Sequence, residues 1–446
     1  WIGYLSLAAF ALALLAVAFE EFIELPKSKP MLLSAGIIWG LIGWYAQLHQ
    51  NGHAAEIALR HSLLQYFELM LFFLVVMTYI NALAERRVFL ALRTWVGHRK
   101  YSYRRIFWIT GIGTFLLSPF LDNLSTALVM GAVVLNLERE NRRFVALACT
   151  HIVVASNAGG AFSPFGDITT LMVWQQEIMS TTGRVDFFSF FNLLLPSLVN
   201  YLIPASFMHF AVPDGNLATP LEQVSMRRGA KRIMFLLLMT IATAVFFQWQ
   251  LYLPAAVGVM TGLSYLQFFG YYLKKTHEPS DTTITTSESP DFSIVVESRQ
   301  PFDVFLRVAR AEWDTLLFLC GVILSVGGMG YLGYLTLASE LLYVQWGPTT
   351  ANISIGLASA VLENIPTMSV VLSMNPQMSL GQWLLITLTA GVGGSLLSIG
   401  SAAGVALMGH AKGKYTFFNH LRWTPVIALG FAVSVQCHLW LNSVLF

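Results

Sequence analysis

The sequence predicts an all-α integral membrane protein with inverted repeats: about 10 spanning helices, two re-entrant helical hairpins and two glycine-broken helices. The first observation is composition, since 56% of the 446 residues are hydrophobic and only 11% are charged. A soluble domain carries about 25% charged residues. The second is the recurrence of apolar runs of about 20 residues, the length that crosses a bilayer. The third is a pair of similar motifs, one in each half of the chain.

Ten apolar segments predict spanning helices: 2–19, 31–48, 63–84, 144–174, 188–212, 231–249, 254–273, 313–335, 383–409 and 424–446. Two more, 106–137 and 349–374, are interrupted near their middles, at 118–123 and at 363–366. An arm of such a segment has about 14 residues, or about 21 Å of helix. That length enters a membrane core of about 30 Å without crossing it. We therefore interpret both as re-entrant hairpins.

The distribution of basic residues supports this topology. Every Lys and Arg except Arg60 and Arg184 falls in one of six loops, at 20–30, 84–105, 138–143, 213–232, 274–312 and 410–422. Positively charged loops face the cytoplasm. The first hairpin then enters from the cytoplasm, the second from the periplasm, and both ends of the chain are periplasmic. Because Trp1 is not a Met, we expect residues to precede it. The polar stretch 276–300 predicts a mobile cytoplasmic loop.

An internal repeat relates the two halves. Leu121–Thr126 and Leu362–Thr367 both read apolar, acid, Asn, apolar, any residue, Thr. Gly159, Gly160 and Gly166 align with Gly393, Gly394 and Gly400 at one offset of 234 residues. We predict a first repeat at 1–212, a cytoplasmic connector at 213–230 and a second repeat at 231–446. The loop charges place the repeats in opposite orientations, and inverted repeats with paired broken helices are typical of alternating-access carriers.

Three acidic residues, Asp122, Asp167 and Glu363, lie at the predicted helix breaks rather than in loops. An acidic residue at membrane depth is costly and usually functional. The alternative is a carboxylate paired with a basic residue. No Lys or Arg lies inside these segments, so we do not expect such a pair.

Oxygen-bearing side chains accompany these acids and complete the predicted cation- and proton-binding set: Asn123, Thr126, Asn157, Thr169, Thr170, Asn364, Thr367, Ser398 and Ser401. An all-oxygen site suits a hard cation, and we place Na⁺ or Li⁺ at Asp122, Asn157 and Asp167. For a single Ser or Thr, a hydrogen bond to its own helix is the simpler explanation. Asp167 aligns with Ser401 and Asn157 with Gly391, so the first repeat should supply more ligands.

Further acidic and histidine side chains lie near predicted helix ends: His61, Glu68, Glu312 and Asp314. They could relay protons or gate the site, and solvated interfacial charge is an equally good explanation. Because an apolar environment favours the protonated carboxylate, proton and cation would compete for one site. Alternating exposure of that site would produce exchange.

Residues 118–130 (SPFLDNLSTALVM) and 155–170 (ASNAGGAFSPFGDITT) closely resemble the signatures of the NhaD-type Na⁺/H⁺ antiporters of the ion transporter superfamily. The resemblance spans both repeats. It implies export of Na⁺ or Li⁺ against entry of H⁺ in the bacterial inner membrane, with pH homeostasis at alkaline pH. It also implies roles for Asp122, Asn157 and Asp167, and a possible homodimer. That family usually has Asp where this chain has Glu363.

Several alternatives remain at this stage. The same superfamily contains carriers of arsenite and of dicarboxylates, although acids at both hairpin tips oppose an organic anion. An intramembrane aspartyl enzyme would use a pair of acids, yet no HExxH or GxSxG motif is present, and the repeats would have no role. A passive channel is a further alternative. A net charge of +2 gives no indication of nucleic-acid binding, and no cofactor is expected beyond the transported ions.

Overall fold

A computed structural model describes residues 1–23, 25–49, 52–97, 101–138, 140–215, 224–276 and 304–446. These residues are mostly helical, and they contain no strand beyond an isolated β-bridge between Met179 and Arg184. The helices are Ile2–Ala18, Glu20–Ile23, Ser28–Leu48, Gly52–Glu85, Val88–Gly97, Tyr103–Leu121, Asn123–Leu137, Arg142–Gly160, Ile168–Gln175, Leu194–Ala211, Ala230–Gln250, Ala255–Lys275, Val304–Ala309, Trp313–Tyr331, Tyr334–Ser339, Pro348–Leu362, Asn364–Met374, Leu380–Gly393, Ala402–His410, Phe417–Leu421 and Thr424–Leu441. Most of the predicted loop 276–300 and part of the connector 213–230 lie outside the described residues.

Six helices are long and apolar enough to cross a membrane: Ser28–Leu48, Gly52–Glu85, Phe188–Ala211 with its first 3₁₀ turn, Ala230–Gln250, Trp313–Tyr331 and Thr424–Leu441. The chain is thus a multi-pass helical membrane protein, as predicted. The predicted start of the third helix was wrong. Helix Gly52–Glu85 begins 11 residues before position 63, because its polar first turns include a Glu56–Arg60 pair spaced i, i+4, which a helix tolerates well.

The described chain divides into two compact units. The first comprises residues 1–67, 96–221 and 314–446, and the second comprises 68–95 and 222–313. Each unit contains segments from both predicted repeats. Both interrupted segments and both glycine-broken helices belong to the first unit, which therefore holds the predicted site.

The second unit is held together by polar contacts as well as apolar packing. The Tyr79 hydroxyl donates to the carbonyl of Gly262 (2.7 Å) and accepts from Thr240 (2.9 Å). Arg307 and Glu85 form a buried ion pair with a Nε–Oε2 distance of 2.8 Å. Such a pair is costly to break on one side only, by about 3–5 kcal/mol, so it fixes helix Val304–Ala309 against the end of Gly52–Glu85.

Both interrupted segments are helical hairpins. Hairpin 1 consists of Tyr103–Leu121 and Asn123–Leu137, and hairpin 2 of Pro348–Leu362 and Asn364–Met374. In hairpin 1 the Tyr103 hydroxyl, at the first arm's start, donates to Glu138, which follows the second arm. In hairpin 2, Asn352 contacts Met378 Sδ at 3.7 Å. Each pair of arms therefore returns to the end at which it began.

The tip of each hairpin is a single acidic residue with a positive φ. Asp122 has φ 61° and ψ 158°, and Glu363 has φ 66° and ψ 153°. This region is almost reserved for glycine, and a residue with a side chain held there costs about 1–3 kcal/mol. The two tips share one strained conformation, and such strain concentrates at functional sites.

The same contacts recur between hairpin and broken helix in both halves. A Cβ built on Gly159 would lie 2.4 Å from the Phe115 carbonyl oxygen, and one on Gly393 would lie 2.1 Å from that of Gly356. Phe115 and Gly356 each lie seven residues before the acid at the tip. These glycines allow the two backbones to approach where any side chain would prevent it.

A hydrogen bond between side chain and main chain also recurs. Ser118 Oγ donates to the Ser156 carbonyl (2.7 Å), and Ser359 Oγ donates to the Ala390 carbonyl (3.1 Å). Both serines lie four residues before the acid at their tip, and Ser156 and Ala390 are related by the glycine offset. Each hairpin is thus held against the broken helix that follows it in the same register.

Candidate functional site

Asp167 lies where the first broken helix resumes. Helix Arg142–Gly160 ends, an irregular turn follows, and Ile168–Gln175 begins with Asp167 as its N-cap. The Asp167 Oδ1 atom accepts the N–H of Thr169 at 3.0 Å. The turn is tight because Gly160 and Gly166 touch: a Cβ on Gly160 would lie 2.4 Å from the Gly166 carbonyl oxygen. The glycines therefore bring the carboxylate into the interior, where it is 2% exposed.

Asparagines from both hairpin tips converge on this carboxylate. Asn123 Nδ2 donates to Asp167 Oδ2 at 3.2 Å. Asn364 Nδ2 lies 3.4 Å from Oδ1 and 3.3 Å from Oδ2. Both amides are buried. Among the described residues, no Lys, Arg or His forms an ion pair with Asp167. The negative charge of Asp167 therefore interacts with the asparagine amide groups and is available to a cation that binds in the site.

A second set of contacts joins the two broken helices. Asn123 Nδ2 also donates to Asn157 Oδ1 at 3.1 Å, and Asn157 Nδ2 donates to Ser401 Oγ at 3.0 Å. Ser401 is the N-cap of Ala402–His410, with φ −139° and ψ 145° close to the −148° and 138° of Asp167. Asp167 and Ser401 thus hold corresponding positions, but only Asp167 supplies a carboxylate.

The predicted hydroxyl ligands divide into two groups. Thr126 and Ser398 are fully buried, and among the described residues their hydroxyls have no hydrogen-bond partner. A buried hydroxyl without a partner costs about 1–3 kcal/mol, so an additional ligand here would be favourable. Thr367 Oγ1 instead donates to the Glu363 carbonyl of its own helix (2.7 Å), and Thr170 Oγ1 lies 3.4 Å from the Ala161 carbonyl. The bond to its own helix accounts for the Thr367 hydroxyl, whereas the Thr170 hydroxyl reaches across the break to the residue that follows helix Arg142–Gly160.

Asp122 caps the second arm of its own hairpin. Its Oδ1 accepts the N–H of Ser125 and its Oδ2 accepts the Ser125 hydroxyl, both at 2.8 Å. A carboxylate at a helix N-terminus satisfies free N–H groups and interacts favourably with the helix dipole. Asp122 therefore has a structural role at the tip in addition to the binding role predicted for it.

The expectation that Glu363 has no basic partner was wrong. Lys27 Nζ donates to Glu363 Oε1 at 2.7 Å, and the two side chains are 10% and 7% exposed. Lys27 lies in the predicted loop 20–30, immediately before helix Ser28–Leu48. Although it lies in a predicted loop, this lysine is buried. The two residues are separated by 336 positions, and no local sequence pattern indicates their contact.

Two of the predicted relay residues, His61 and Asp314, hydrogen-bond to groups other than Asp167. His61 Nε2 is 3.1 Å from Gln65 Nε2, and His61 lines a cavity of about 550 Å³ with Gln65, Glu177, Asn375 and Gln377. Asp314 accepts a hydrogen bond from Ser28 Oγ, so it lies beside the Lys27 segment. Glu68 belongs to the second structural unit, and Glu312 directly precedes helix Trp313–Tyr331.

The arrangement suits reversible binding of a bare cation. Each asparagine amide that now donates to Asp167 carries an oxygen opposite its nitrogen. A half-turn about its Cβ–Cγ bond would present that oxygen to a cation held by the carboxylate. The side chains together form an oxygen-rich set of the kind that hard cations require. Its members are Asp167, Asn123, Asn157 and Asn364, and the same sequence motifs contain the unpartnered hydroxyls of Thr126 and Ser398.

A family model described as "Citrate transporter" matches residues 2–391. The "Na(+)/H(+) antiporter NhaD" of Vibrio cholerae is 54% identical over 445 residues, which is 99% of this chain and 92% of that protein. The chain belongs to the NhaD family of membrane carriers. The protein of the same name from Alkalimonas amylolytica is also 54% identical, over all of this chain and 92% of its own length. "Sodium/proton antiporter 1" of Arabidopsis thaliana is 28% identical over 98% of this chain and 72% of its own length.

Family membership decides between the classes left open by the sequence. The relatives are named as antiporters, which excludes the alternative of an intramembrane aspartyl enzyme. Of the residues for which the resemblance implied a role, Asn157 is linked to Asp167 through Asn123, whereas Asp122 hydrogen-bonds to Ser125 of its own hairpin.

Proposed function

We propose that this protein exchanges cytoplasmic Na⁺ or Li⁺ for external H⁺ by alternating access, and that cation and proton compete for the buried carboxylate of Asp167. The observation that carries the proposal is the convergence of Asn123 and Asn364, one from each hairpin tip, on that carboxylate. The NhaD relatives are named Na⁺/H⁺ antiporters, which agrees with a small hard cation as cargo.

Competition follows from the donor set. A buried carboxylate without a basic partner is costly when ionised, so it is stabilised either by a proton or by a cation. Bound proton and bound cation therefore exclude one another. If the hairpin tips move together with the broken helices, the same carboxylate is exposed to each side in turn, and one species leaves where the other enters.

The remaining site assignments follow this scheme. We assign Asp122, Asn157 and Asp167 to Na⁺ or Li⁺, with Asn123, Asn364, Thr126, Thr169, Ser398 and Ser401 as supporting oxygen groups. We assign the protein to the bacterial inner membrane, with the basic loops in the cytoplasm, both chain ends in the periplasm, and a homodimer as the assembly. The cavity near His61 then opens toward the periplasm.

The test uses membrane vesicles that hold a pH gradient and a fluorescent pH probe. NaCl, LiCl, KCl, sodium-free arsenite and sodium-free citrate are added in turn at pH 8–9. We expect Na⁺ and Li⁺ to dissipate the gradient for the wild type and to have no effect for Asp167→Asn. The matched control is Glu140→Gln, which neutralises an exposed acid and should behave as the wild type. A response to arsenite or citrate without one to Na⁺ would refute the cation assignment.

Citrate is included in that series because the matching family model is described as a citrate transporter. A citrate carrier needs basic or neutral groups where the carboxylates bind. Glu363 is paired with Lys27, but Asp122 lies at the tip of hairpin 1 and Asp167 lies between the two asparagines. These two carboxylates favour a cation, and the citrate addition tests that reasoning directly.

A further inference from the structure

The two hairpin tips have the same backbone conformation but use their acids differently. At tip 1, Asp122 accepts the N–H of Ser125, three residues later. At tip 2 the corresponding residue is Pro366, which has no N–H to donate, and Glu363 makes no capping hydrogen bond. Pro366 therefore leaves the Glu363 carboxylate free of a capping role. Glu363 also has one methylene group more than Asp122, so its carboxylate reaches further from the backbone.

Glu363 uses that reach to bind Lys27. The ammonium nitrogen lies 2.7 Å from Oε1, with both side chains buried. It also lies 4.8 Å from the ring centroid of Phe318, a distance at which a cation is attracted to an aromatic face. An ammonium group is a compact point charge, so at Glu363 it provides what a bound metal cation would provide.

The surroundings of the pair indicate that the lysine is held for its charge. Two more carboxylates, those of Glu20 and Asp314, act electrostatically on Lys27. Glu20 and Glu363 both line a cavity of about 20 Å³, enough for one water molecule. Three acids around one lysine keep the ammonium group charged and in place, although it is buried.

We propose that the Lys27 ammonium group is a built-in cation that permanently occupies the second hairpin tip, so that the protein binds one transported cation, at Asp167. This inference rests on the proposed function and extends it to the number of ions bound. The repeat would otherwise offer two acidic tips to two cations. Lys27 is a positioning residue, because it acts through Glu363 and through repulsion of a second cation.

The test measures ²²Na⁺ bound at saturation by the full-length protein in detergent, at one fixed alkaline pH. The wild type is expected to bind one Na⁺ per chain. Lys27→Arg keeps the charge and should also bind one, whereas Lys27→Met frees Glu363 and should bind two. In Lys27→Met/Glu363→Gln the second site is removed, and the value should return to one.

Lys27→Met leaves a buried carboxylate unpaired, which is destabilising. If that variant does not fold, Lys27→Met/Glu363→Gln decides, because it removes both charges together. The proposal expects the double variant to bind one Na⁺ with an affinity within about threefold of the wild type, because Glu363 holds the lysine and not the cargo. Loss of Na⁺ binding in the double variant, or a single Na⁺ in folded Lys27→Met, overturns the proposal.

These outcomes are distinct from failure of the proposed function. If the wild type binds no Na⁺ at all, the cation assignment fails before the variants are compared. If it binds one and Lys27→Met also binds one, exchange at Asp167 stands and only the role of Lys27 is refuted.

Discussion

Substitutions at two glycines of helix Leu380–Gly393 can test cation binding and helix packing separately. Gly391 and Gly393 lie two residues apart and both are fully enclosed by protein. A Cβ on Gly391 would lie 3.5 Å from Ala161 Cβ and 3.6 Å from Asp167 Oδ2, which are ordinary contacts. A Cβ on Gly393 would lie 2.1 Å from the carbonyl oxygen of Gly356 and 2.6 Å from Ser359 Oγ.

The same substitution should therefore have opposite effects at these two positions. Alanine is favoured over glycine inside a helix by about 1 kcal/mol. At Gly391 there is room, so Gly391→Ala should be as stable as the wild type or up to about 1 kcal/mol more stable. At Gly393 the obstacle is backbone and cannot rotate away. Forcing a group into a packed interior costs about 1–3 kcal/mol, and this contact should reach or exceed the upper end of that range.

The two substitutions should also affect Na⁺ binding and exchange in different ways. In Gly391→Ala the new methyl group occupies space beside the Asp167 carboxylate, where a cation's ligands must fit. We expect the half-saturating Na⁺ concentration to rise about tenfold, equivalent to about 1.4 kcal/mol. In Gly393→Ala hairpin 2 is displaced from the broken helix, and both expression and exchange should fall.

The assay combines thermal unfolding of the purified protein in detergent with Na⁺ titration of the vesicle pH gradient. The expected result is a stable Gly391→Ala with weakened Na⁺ response, beside an unstable Gly393→Ala. Equal stability of the two variants would refute the close backbone approach at Gly393. An unchanged Na⁺ response in Gly391→Ala would refute the placement of the cation beside Asp167.

Three further changes test other parts of the site. Asp122→Asn keeps a side-chain oxygen for the Ser125 N–H and should fold yet lose exchange, whereas Asp122→Ala should also lose about 1 kcal/mol of stability with the cap; equal thermal midpoints would contradict the capping role. Asn364→Ala removes the amide oxygen that would turn toward the cation and should raise the half-saturating Na⁺ concentration about tenfold, equivalent to about 1.4 kcal/mol; a vesicle titration decides. Tyr103→Phe should lower stability by about 1 kcal/mol at pH 7 and by less below pH 4, as thermal unfolding across pH would measure.

The pH dependence of the Tyr103 contact follows from Glu138, which lies after hairpin 1 in the predicted loop 138–143. Partial burial opposes its ionisation, but the Tyr103 hydroxyl and the N–H groups of Asn141 and Glu140 outweigh burial and lower the pKa of Glu138. A lowered pKa means that the stabilisation is complete above the ordinary value of 4.5 and is lost as the pH falls through the lower folded value. A Tyr103→Phe effect that grew on acidification would contradict this account.

Local sequence signals predicted the breaks and the register of the repeats. An acid followed by Asn, with a proline nearby, cannot continue an apolar helix unchanged, and helices do end at Leu121 and Leu362. The glycine offset predicted equivalent positions, and contacts at Gly159 and Gly393 match residue for residue. Because these features are local or periodic, they can be recognised in a single sequence.

The contact between Lys27 and Glu363 could not be predicted in the same way. It joins residues 336 positions apart, and a lysine in a polar loop is ordinarily solvated. One signal was present in the sequence: Pro366 replaces the residue whose N–H the acid would cap. That change predicts a free carboxylate at tip 2, but it does not say which group would meet it.

Two sequence differences between the halves reduce the capacity of the second half to bind a cation by itself. Where repeat 1 has Asp167, repeat 2 has Ser401, and where repeat 1 has Asn157, repeat 2 has Gly391. The second half therefore lacks two of the predicted cation ligands, and Lys27 pairs with the acid that remains there. Yet tip 2 keeps its asparagine, and Asn364 reaches across to Asp167. Repeat 2 therefore retains its architecture and supplies an amide to the carboxylate of repeat 1. In the proposed mechanism, elements of both repeats move together to open a single cation site.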